Sequence, residues 1–270
     1  MDFVTLHNGT KIPQIGFGVW RVDNDTEAPG AVEEALRAGY RHIDTAAVYK
    51  NEEGVAKGIA ASGVAREEIF LTSKIWNDDI RARRTKEAFA ESLERLQTDY
   101  MDLCLLHWPV EGSVEAWTAL VELYEEGKIK AIGVSNYKQH HLDELADAGL
   151  MKPMVNQIEL HPQNPQRDFV TSLQEAGIHV EAWSPLMQGK FLEFPLFEEL
   201  AEKHGKAPSQ VVLRWHLQHG HIALPKSVTP ARIHENLAVF DFELSSDDMA
   251  SIDAIATDVR LGPDPDEIDF

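Results

Sequence analysis

Short apolar runs and helical patterns alternate along almost the whole 270-residue chain, and this alternation limits the fold more than any other feature. Strands are predicted to end at Gly16-Phe17-Gly18 and at Asp44 of Gly39-Tyr40-Arg41-His42-Ile43-Asp44. Further strands are predicted at Ile69 to Ser73, Met101 to Leu106, Ile129 to Val134, Met154 to Gln157, His179 to Trp183 and Ile222 to Leu224. Between them the 3.6-residue period predicts helices at Ala31 to Ala38, Glu52 to Ala61, Lys86 to Leu96 and Val114 to Glu125. The same pattern continues at His140 to Ala148, Arg167 to Glu175, Pro208 to Gln218 and Pro230 to Val239. A strand followed by a helix implies parallel pairing, and eight such units in a chain of this length suit a closed (β/α)8 TIM barrel better than an open sheet. A doubly wound sheet would want a glycine fingerprint, and Gly16-Phe17-Gly18-Val19-Trp20-Arg21 lacks its third glycine. Asn8-Gly9, between Val4 to Leu6 and Lys11 to Pro13, predicts a small hairpin ahead of the barrel. Thr257 to Phe270 reads as a short tail over the barrel mouth. No linker or composition shift divides the chain, so residues 1–270 read as one domain.

The chain is acidic, with a formal charge of −20 spread along its length rather than gathered in a tail. Such a surface disfavours nucleic acid and anionic membranes as partners. No basic segment leads into an apolar run at the N-terminus, and nowhere do 18 apolar residues follow one another, so the expected location is the cytoplasm. The single cysteine, Cys104, lies in the apolar run Tyr100 to Leu106 and reads as a small buried hydrophobe in a reducing compartment.

In a barrel of this kind the chemistry sits at the C-terminal ends of the strands. Asp44, Lys74, His107, Ser135, Asn136, Gln157, Ser184, Lys226 and Ser227 fall at those ends, and Tyr49 follows Asp44 in a turn. Asn51 is expected to cap the next helix, with Glu52 and Glu53 in its first turn. Taken singly, Asp44 is an ordinary turn residue, Tyr49 a half-buried aromatic and His107 a satisfied core histidine. Their convergence on one barrel mouth argues for a shared site. At the last strand, Thr229 as N-cap, Pro230 at the first helical position and the cations Lys226 and Arg232 make a phosphate site. Trp20, Trp76 and Trp108 each follow a strand end and either wall a pocket or pack under loops. His216, His219 and His221 have no carboxylate or cysteine at ligand spacing and are expected at the surface, with no metal.

From Gly9 to about Glu243 the sequence resembles the aldo-keto reductases. The resemblance runs through Gly39-Tyr40-Arg41-His42-Ile43-Asp44-Thr45-Ala46, Leu106-His107-Trp108-Pro109, Ile132-Gly133-Val134-Ser135-Asn136, Asn156-Gln157-Ile158-Glu159 and Pro225-Lys226-Ser227-Val228. Trp183-Ser184-Pro185-Leu186-Met187-Gln188-Gly189-Lys190 and Val211-Val212-Leu213-Arg214-Trp215-His216 are similar to short bacterial members such as 2,5-diketo-D-gluconate reductases. The resemblance implies a catalytic tetrad of Asp44, Tyr49, Lys74 and His107, NADPH bound across the barrel mouth, and reduction of aldehydes and ketones of small molecules. It implies cofactor contacts from Gly18, Trp20, Ser135, Asn136, Gln157, Trp183, Ser184, Leu186, Gly189, Lys226, Ser227, Val228, Thr229, Arg232, Glu235 and Asn236. Trp183 stands where many relatives have a Tyr that stacks on the nicotinamide. Substrate contacts are implied for Trp20, Ala46, Trp76, His107 and Trp108. The expected partner is a small carbonyl compound and the expected state a monomer. The short loop Pro109 to Ser113 and a brief polar tail predict an open pocket that accepts several such compounds. The alternative is a relative that binds NADPH with little or no turnover and serves a regulatory or structural role.

Overall fold

In the computed structural model, which describes residues 1–270, eight parallel strands follow one another in chain order around a barrel. Ahead of it, β1 (Phe3–Thr5) and β2 (Lys11–Pro13) form the expected antiparallel hairpin. The barrel strands are β3 (Phe17–Gly18), β4 (His42–Asp44), β5 (Phe70–Ile75), β6 (Met101–Leu106), β7 (Ile129–Ser135), β8 (Val155–Glu159), β9 (His179–Trp183) and β10 (Ile222–Ala223). A parallel bridge between Ile15 and Ala223 closes the ring, supported by Gly16 N donating to Ala223 O at 2.9 Å and Gly18 N to Pro225 O at 3.0 Å.

Side chains alternate across each strand and so separate two cores. Phe70, Leu103, Leu105, Ala131, Val155 and Ile222 point inward and pack with Leu6 and Ile12 of the hairpin, which therefore stoppers the end of the barrel away from the strand C-termini. Their neighbours Ile43, Leu71, Cys104, Leu106, Ile132, Val134, Val180 and Ala182 point outward under the helices. Cys104 is fully buried there, as expected, and burial pushes its thiol pKa up.

The helices are α1 (Ala28–Ala38), α2 (Glu52–Ser62), α3 (Asn77–Arg81), α4 (Thr85–Leu96), α5 (Ser113–Glu125), α6 (Gln139–Asp147), α7 (Arg167–Glu175), α8 (Pro195–His204), α9 (Pro208–Gln218), α10 (Pro230–Leu237) and α11 (Ser246–Asp253). Gly39 stops α1 in the left-handed region at φ +115°, a conformation that costs a side chain but not glycine. Short α3 and helices α8 and α11 were not expected from the sequence. α8 and α11 bury Phe197, Leu200 and Ile252 against Val211, Val212 and Trp215 of α9, a satellite core apart from the barrel.

Three local expectations are corrected. Lys74 lies within β5 rather than beyond its end, and β7 and β8 run on to include Ser135 and Glu159. Asn51 stands at the N-cap position of α2, but its side chain makes no cap. It is buried instead, accepting from Thr45 Oγ1 at 2.8 Å and donating to Val19 O and Val22 O at 2.8 and 3.0 Å, so it ties the loop after β3 to the loop after β4. His216 and His221 are buried, not on the surface: His216 lies on α9 beside Trp215, and His221, beyond the end of that helix, packs against the same indole. His216 Nε2 lies 3.3 Å from Pro185 O, and burial brings the pKa of His221 down to about 3. No helix is long and apolar enough to cross a membrane.

Candidate active site

The four residues proposed for chemistry arrive at the mouth from three neighbouring strand ends, which is what a barrel does with loops of unrelated sequence. β4 delivers Asp44, β5 delivers Lys74, the residue after β6 is His107, and a 3-10 turn at Ala47–Tyr49 carries Tyr49 back over the opening. The fully buried Lys74 ammonium donates to Asp44 Oδ1 at 2.7 Å and to Thr45 O at 2.9 Å. It also lies 5.1 Å from the centre of the Tyr49 ring. His107 meets Tyr49 edge to face with ring centres 5.7 Å apart, and Trp76 in the same way at 5.2 Å. The four groups are thus one cluster.

Its electrostatics follow from burial and one retained charge pair. Burial alone would lower the Lys74 pKa, but the Asp44 carboxylate more than offsets it and holds the lysine above its ordinary range. Burial raises the Tyr49 phenol, and the ammonium draws it partly back. Burial, reinforced by Lys74, holds His107 well below the usual histidine range, so its ring is neutral at pH 7. A protonated phenol, a neutral imidazole and a fixed ammonium therefore face the same opening.

Beside this cluster, Ser135 Oγ donates to Gln157 O at 2.8 Å, and Asn136, at φ +64°, donates through Nδ2 to His107 O at 3.0 Å. Asn136 Oδ1 accepts from the indole of Trp183 at 2.8 Å, which holds that ring at the rim. Gln157 turns its Nε2 to Asp44 Oδ2 at 2.9 Å and to Glu181 Oε2 at 2.8 Å. Gly18 lies at the closing seam, where a Cβ would sit 3.4 Å from Leu224 O. Trp20 is exposed with the Arg21 guanidinium 4.2 Å over its ring, whereas Ala46 is fully buried. After β9 the chain passes Ser184, Leu186 and Gly189, with Ser184 and Gly189 at φ +52° and +93°.

The segment after β10 has the features of an anion site. Thr229 precedes α10, but its side chain does not cap the helix, so the first amides of α10 are left free by it. Ser227 Oγ accepts instead from Thr229 N at 3.1 Å. Lys226 and Arg232 flank this helix start, exposed and without any carboxylate partner, although acidic residues outnumber basic ones 45 to 25 in the chain. Val228 is also exposed; Glu235 accepts from Ser209 Oγ at 2.8 Å, and Asn236 is buried.

The expected open pocket is corrected by the tail. Thr257 N and Asp258 N donate to Gln163 O, and Gly262 N donates to Glu159 Oε2 at 3.1 Å. Asp264 and Asp266 both accept from Lys138, with His140 and His141 3.0 and 3.3 Å from Asp266 Oδ1. Phe270 then stacks on Trp76 at 5.7 Å and 5° and meets Trp108 edge on at 5.5 Å, while its backbone O accepts from Asn77 and Arg81 at 3.1 and 2.9 Å. Trp76 and Trp108 are thus brought together by the Phe270 ring, which packs against both. Sequence reasoning missed Phe270 and Glu181. The signal for Glu181 was a lone acid in the apolar β9, in register with Gln157.

A profile described as the aldo/keto reductase family matches residues 14–257. A glyoxal reductase of Bacillus subtilis strain 168 is 54% identical, covering 100% of this chain and 98% of its own length. A methylglyoxal reductase of Escherichia coli strain K12 is 48% identical, covering 98% and 97%. Among solved structures, a variant of Gox0644 in complex with NADPH is 45% identical with a TM-score of 0.95, covering 100% of this chain and 99% of that one.

Proposed function

Since this chain belongs to the aldo/keto reductase family, we propose that it reduces the carbonyl group of small aldehydes and ketones, short dicarbonyls foremost, with NADPH and with Tyr49 as the proton donor. NADPH-dependent carbonyl reduction is the activity of the family. The assignment of Tyr49 is carried by the Lys74 ammonium, buried between the Asp44 carboxylate and the Tyr49 ring.

The residues present fit the cofactor. The free cations Lys226 and Arg232 at the start of α10 suit a 2′-phosphate, and Ser227, Val228 and Thr229 bring main chain to the same place. Ser135, Asn136 and Gln157 supply hydroxyl and amide groups for a carboxamide, and Trp183 a ring that can stack. When bound, NADPH supplies a hydride to the substrate carbon. His107, neutral, can donate a hydrogen bond to the carbonyl oxygen and orient it. Tyr49 gives its proton to the developing alkoxide, and Lys74 stabilises the phenolate left behind. Asp44 fixes Lys74 and balances its charge. The similar glyoxal and methylglyoxal reductases favour short dicarbonyls, and Phe270 over Trp76 narrows the pocket in the same direction. All these groups lie in one chain, so the site needs no second copy.

Tyr49→Phe tests the assignment. NADPH binding, measured by fluorescence titration, is expected to stay near wild type while methylglyoxal reduction falls about a hundredfold or more, the range for a lost general acid. A variant with near-wild-type turnover removes Tyr49 from the mechanism. A wild type that binds NADPH yet reduces none of a panel of aldehydes and diketones would instead be the non-catalytic relative.

A further inference from the structure

Of the polar side chains inside the barrel, Glu181 has no task in the reaction above. It lies mid-strand in β9, fully buried, as the Cα partner of Gln157 on β8. No cation touches it. The nearest ring nitrogen, His42 Nε2, is 3.8 Å from Oε1, and Oε1 makes no hydrogen bond. A carboxyl in this position avoids the cost of a buried unpaired charge by staying protonated. Burial, reinforced by the nearby Asp44 carboxylate, pushes its pKa up to about 8, and His42 is held neutral with a pKa of about 4.

What Glu181 does hold is the Gln157 amide. Nε2 of Gln157 donates to Glu181 Oε2 at 2.8 Å and to Asp44 Oδ2 at 2.9 Å. A primary amide has two N–H groups, and these two acceptors use both. Asp44 also decides which way the amide lies, because turning it over would set its oxygen against a carboxylate paired with Lys74. The amide oxygen accepts nothing from the protein and is the one polar atom of the side chain left for a ligand.

We propose that Glu181 is a positioning residue for the cofactor: together with Asp44 it clamps both N–H groups of Gln157, so that the amide oxygen is held ready to accept from the carboxamide of a nicotinamide. This rests on Gln157 being a nicotinamide contact, as proposed above. Glu181 makes no hydrogen bond to Lys74, Tyr49 or His107, so its one directed contact with the site is through Gln157. Without it, one N–H of the amide would be buried and unanswered, and the side chain would be free to turn toward another acceptor.

Calorimetric titration with NADPH and with adenosine 2′,5′-bisphosphate, which has the phosphates but no nicotinamide, separates positioning from a general structural role. Glu181→Leu keeps bulk but cannot accept, and is expected to weaken NADPH about tenfold while leaving the bisphosphate within about twofold. Glu181→Gln offers a carbonyl to the same N–H and is expected to bind both ligands nearly as the wild type does. Equal weakening of both ligands in Glu181→Leu, or no weakening of NADPH, overturns the proposal. Gln157→Leu tells which step failed. If it too leaves NADPH binding unchanged, Gln157 is not a nicotinamide contact; if it weakens NADPH selectively and Glu181→Leu does not, only the role of Glu181 falls.

A second measurement covers the case in which Glu181→Leu does not fold. The 15N side-chain resonance of Gln157 in the wild type is expected to move with pH around 8, and to stay still there in Glu181→Gln. The charged or titratable groups facing Glu181 are Asp44 and His42 from β4 and Lys74 from β5, whereas its sheet neighbours offer Gln157 and Ile222. His42 and Lys74 change state far from pH 8. A wild-type Gln157 amide whose two N–H protons exchange freely with solvent overturns the clamp, whatever its resonance does with pH.

Discussion

At the scale of single residues, Lys74 is the most exacting placement in the molecule. Its ammonium is buried with two oxygen acceptors, and the pair it forms with Asp44 is tolerable only while both partners are present. Lys74→Met is therefore expected to lower stability by about 3–5 kcal/mol, because it strands the Asp44 carboxylate rather than because the pair itself is strongly stabilising. Adding Asp44→Asn should restore part of that loss, as urea denaturation of the single and double variants would show. A double variant less stable than Lys74→Met would mean that Asp44 is not stranded. The same pair gives the lysine its proposed catalytic task, so the strain of burying it and the use made of it are inseparable.

At the scale of elements, two segments carry specificity. The N-terminus of α10 brings together an uncapped helix start and two unpaired cations. Each charge-assisted hydrogen bond to a phosphate is worth about 1.5–3 kcal/mol before solvent screening, and both cations are exposed, so the expected preference for NADPH over NADH in kcat/KM is about tenfold to a hundredfold. Arg232→Ala should lose most of that preference through a higher KM for NADPH, with NADH use unchanged; equal losses with both cofactors would refute the assignment. The tail is the second segment. Phe270 lies flat on Trp76, so Phe270→Ala is expected to raise kcat/KM severalfold for aromatic aldehydes relative to methylglyoxal. An unchanged ratio over a substrate panel would show that the ring leaves the pocket when substrate enters.

For the whole molecule, buried titratable groups set a window of stability in pH. Burial holds His42, His107, His216 and His221 below the ordinary histidine value, so the folded state takes up fewer protons than the unfolded chain as pH falls. The stability they permit above pH about 6.5 is therefore lost on acidification toward their folded values, which are about 4 for His42 and about 3 for His221. Glu181 works in the opposite sense. Its folded pKa of about 8 lies above the ordinary value, so its contribution is intact below about 4.5 and is lost as pH rises toward 8, then stays level. At pH 6.5 the histidines of the unfolded chain are still about half protonated and together outweigh the one carboxyl; the balance turns near pH 7, above which the carboxyl dominates. The melting temperature is expected to peak near pH 7, and Glu181→Gln should flatten the fall between about 7 and 8. A wild-type Tm that rises from about pH 7.5 to 8, where the histidines contribute little, would contradict the burial of Glu181 as an acid.

The sequence by itself determined the repeating strand and helix, the number of units, the hairpin at Asn8-Gly9 and the strand ends that carry Asp44, Lys74 and His107, because periodicity and turn chemistry are local properties. The long motifs around those ends also made the family legible. Sequence alone did not determine where side chains go once strands close into a ring. Asn51 has the residue type of a cap, yet Thr45 from its own connection and the Val19 and Val22 carbonyls from the loop after β3 hold its side chain away from the helix. His216 and His221 look polar and exposed in one dimension and are buried beside Trp215, with His216 facing Pro185 O after β9. Phe270 ends a polar segment, and only the path of residues 257–270 across the mouth brings it to Trp76. Glu181 and Asp44 are 137 residues apart and share one amide because barrel closure sets β4, β8 and β9 around a common interior. Those contacts exist only in the closed barrel, where distance along the chain no longer measures distance in space.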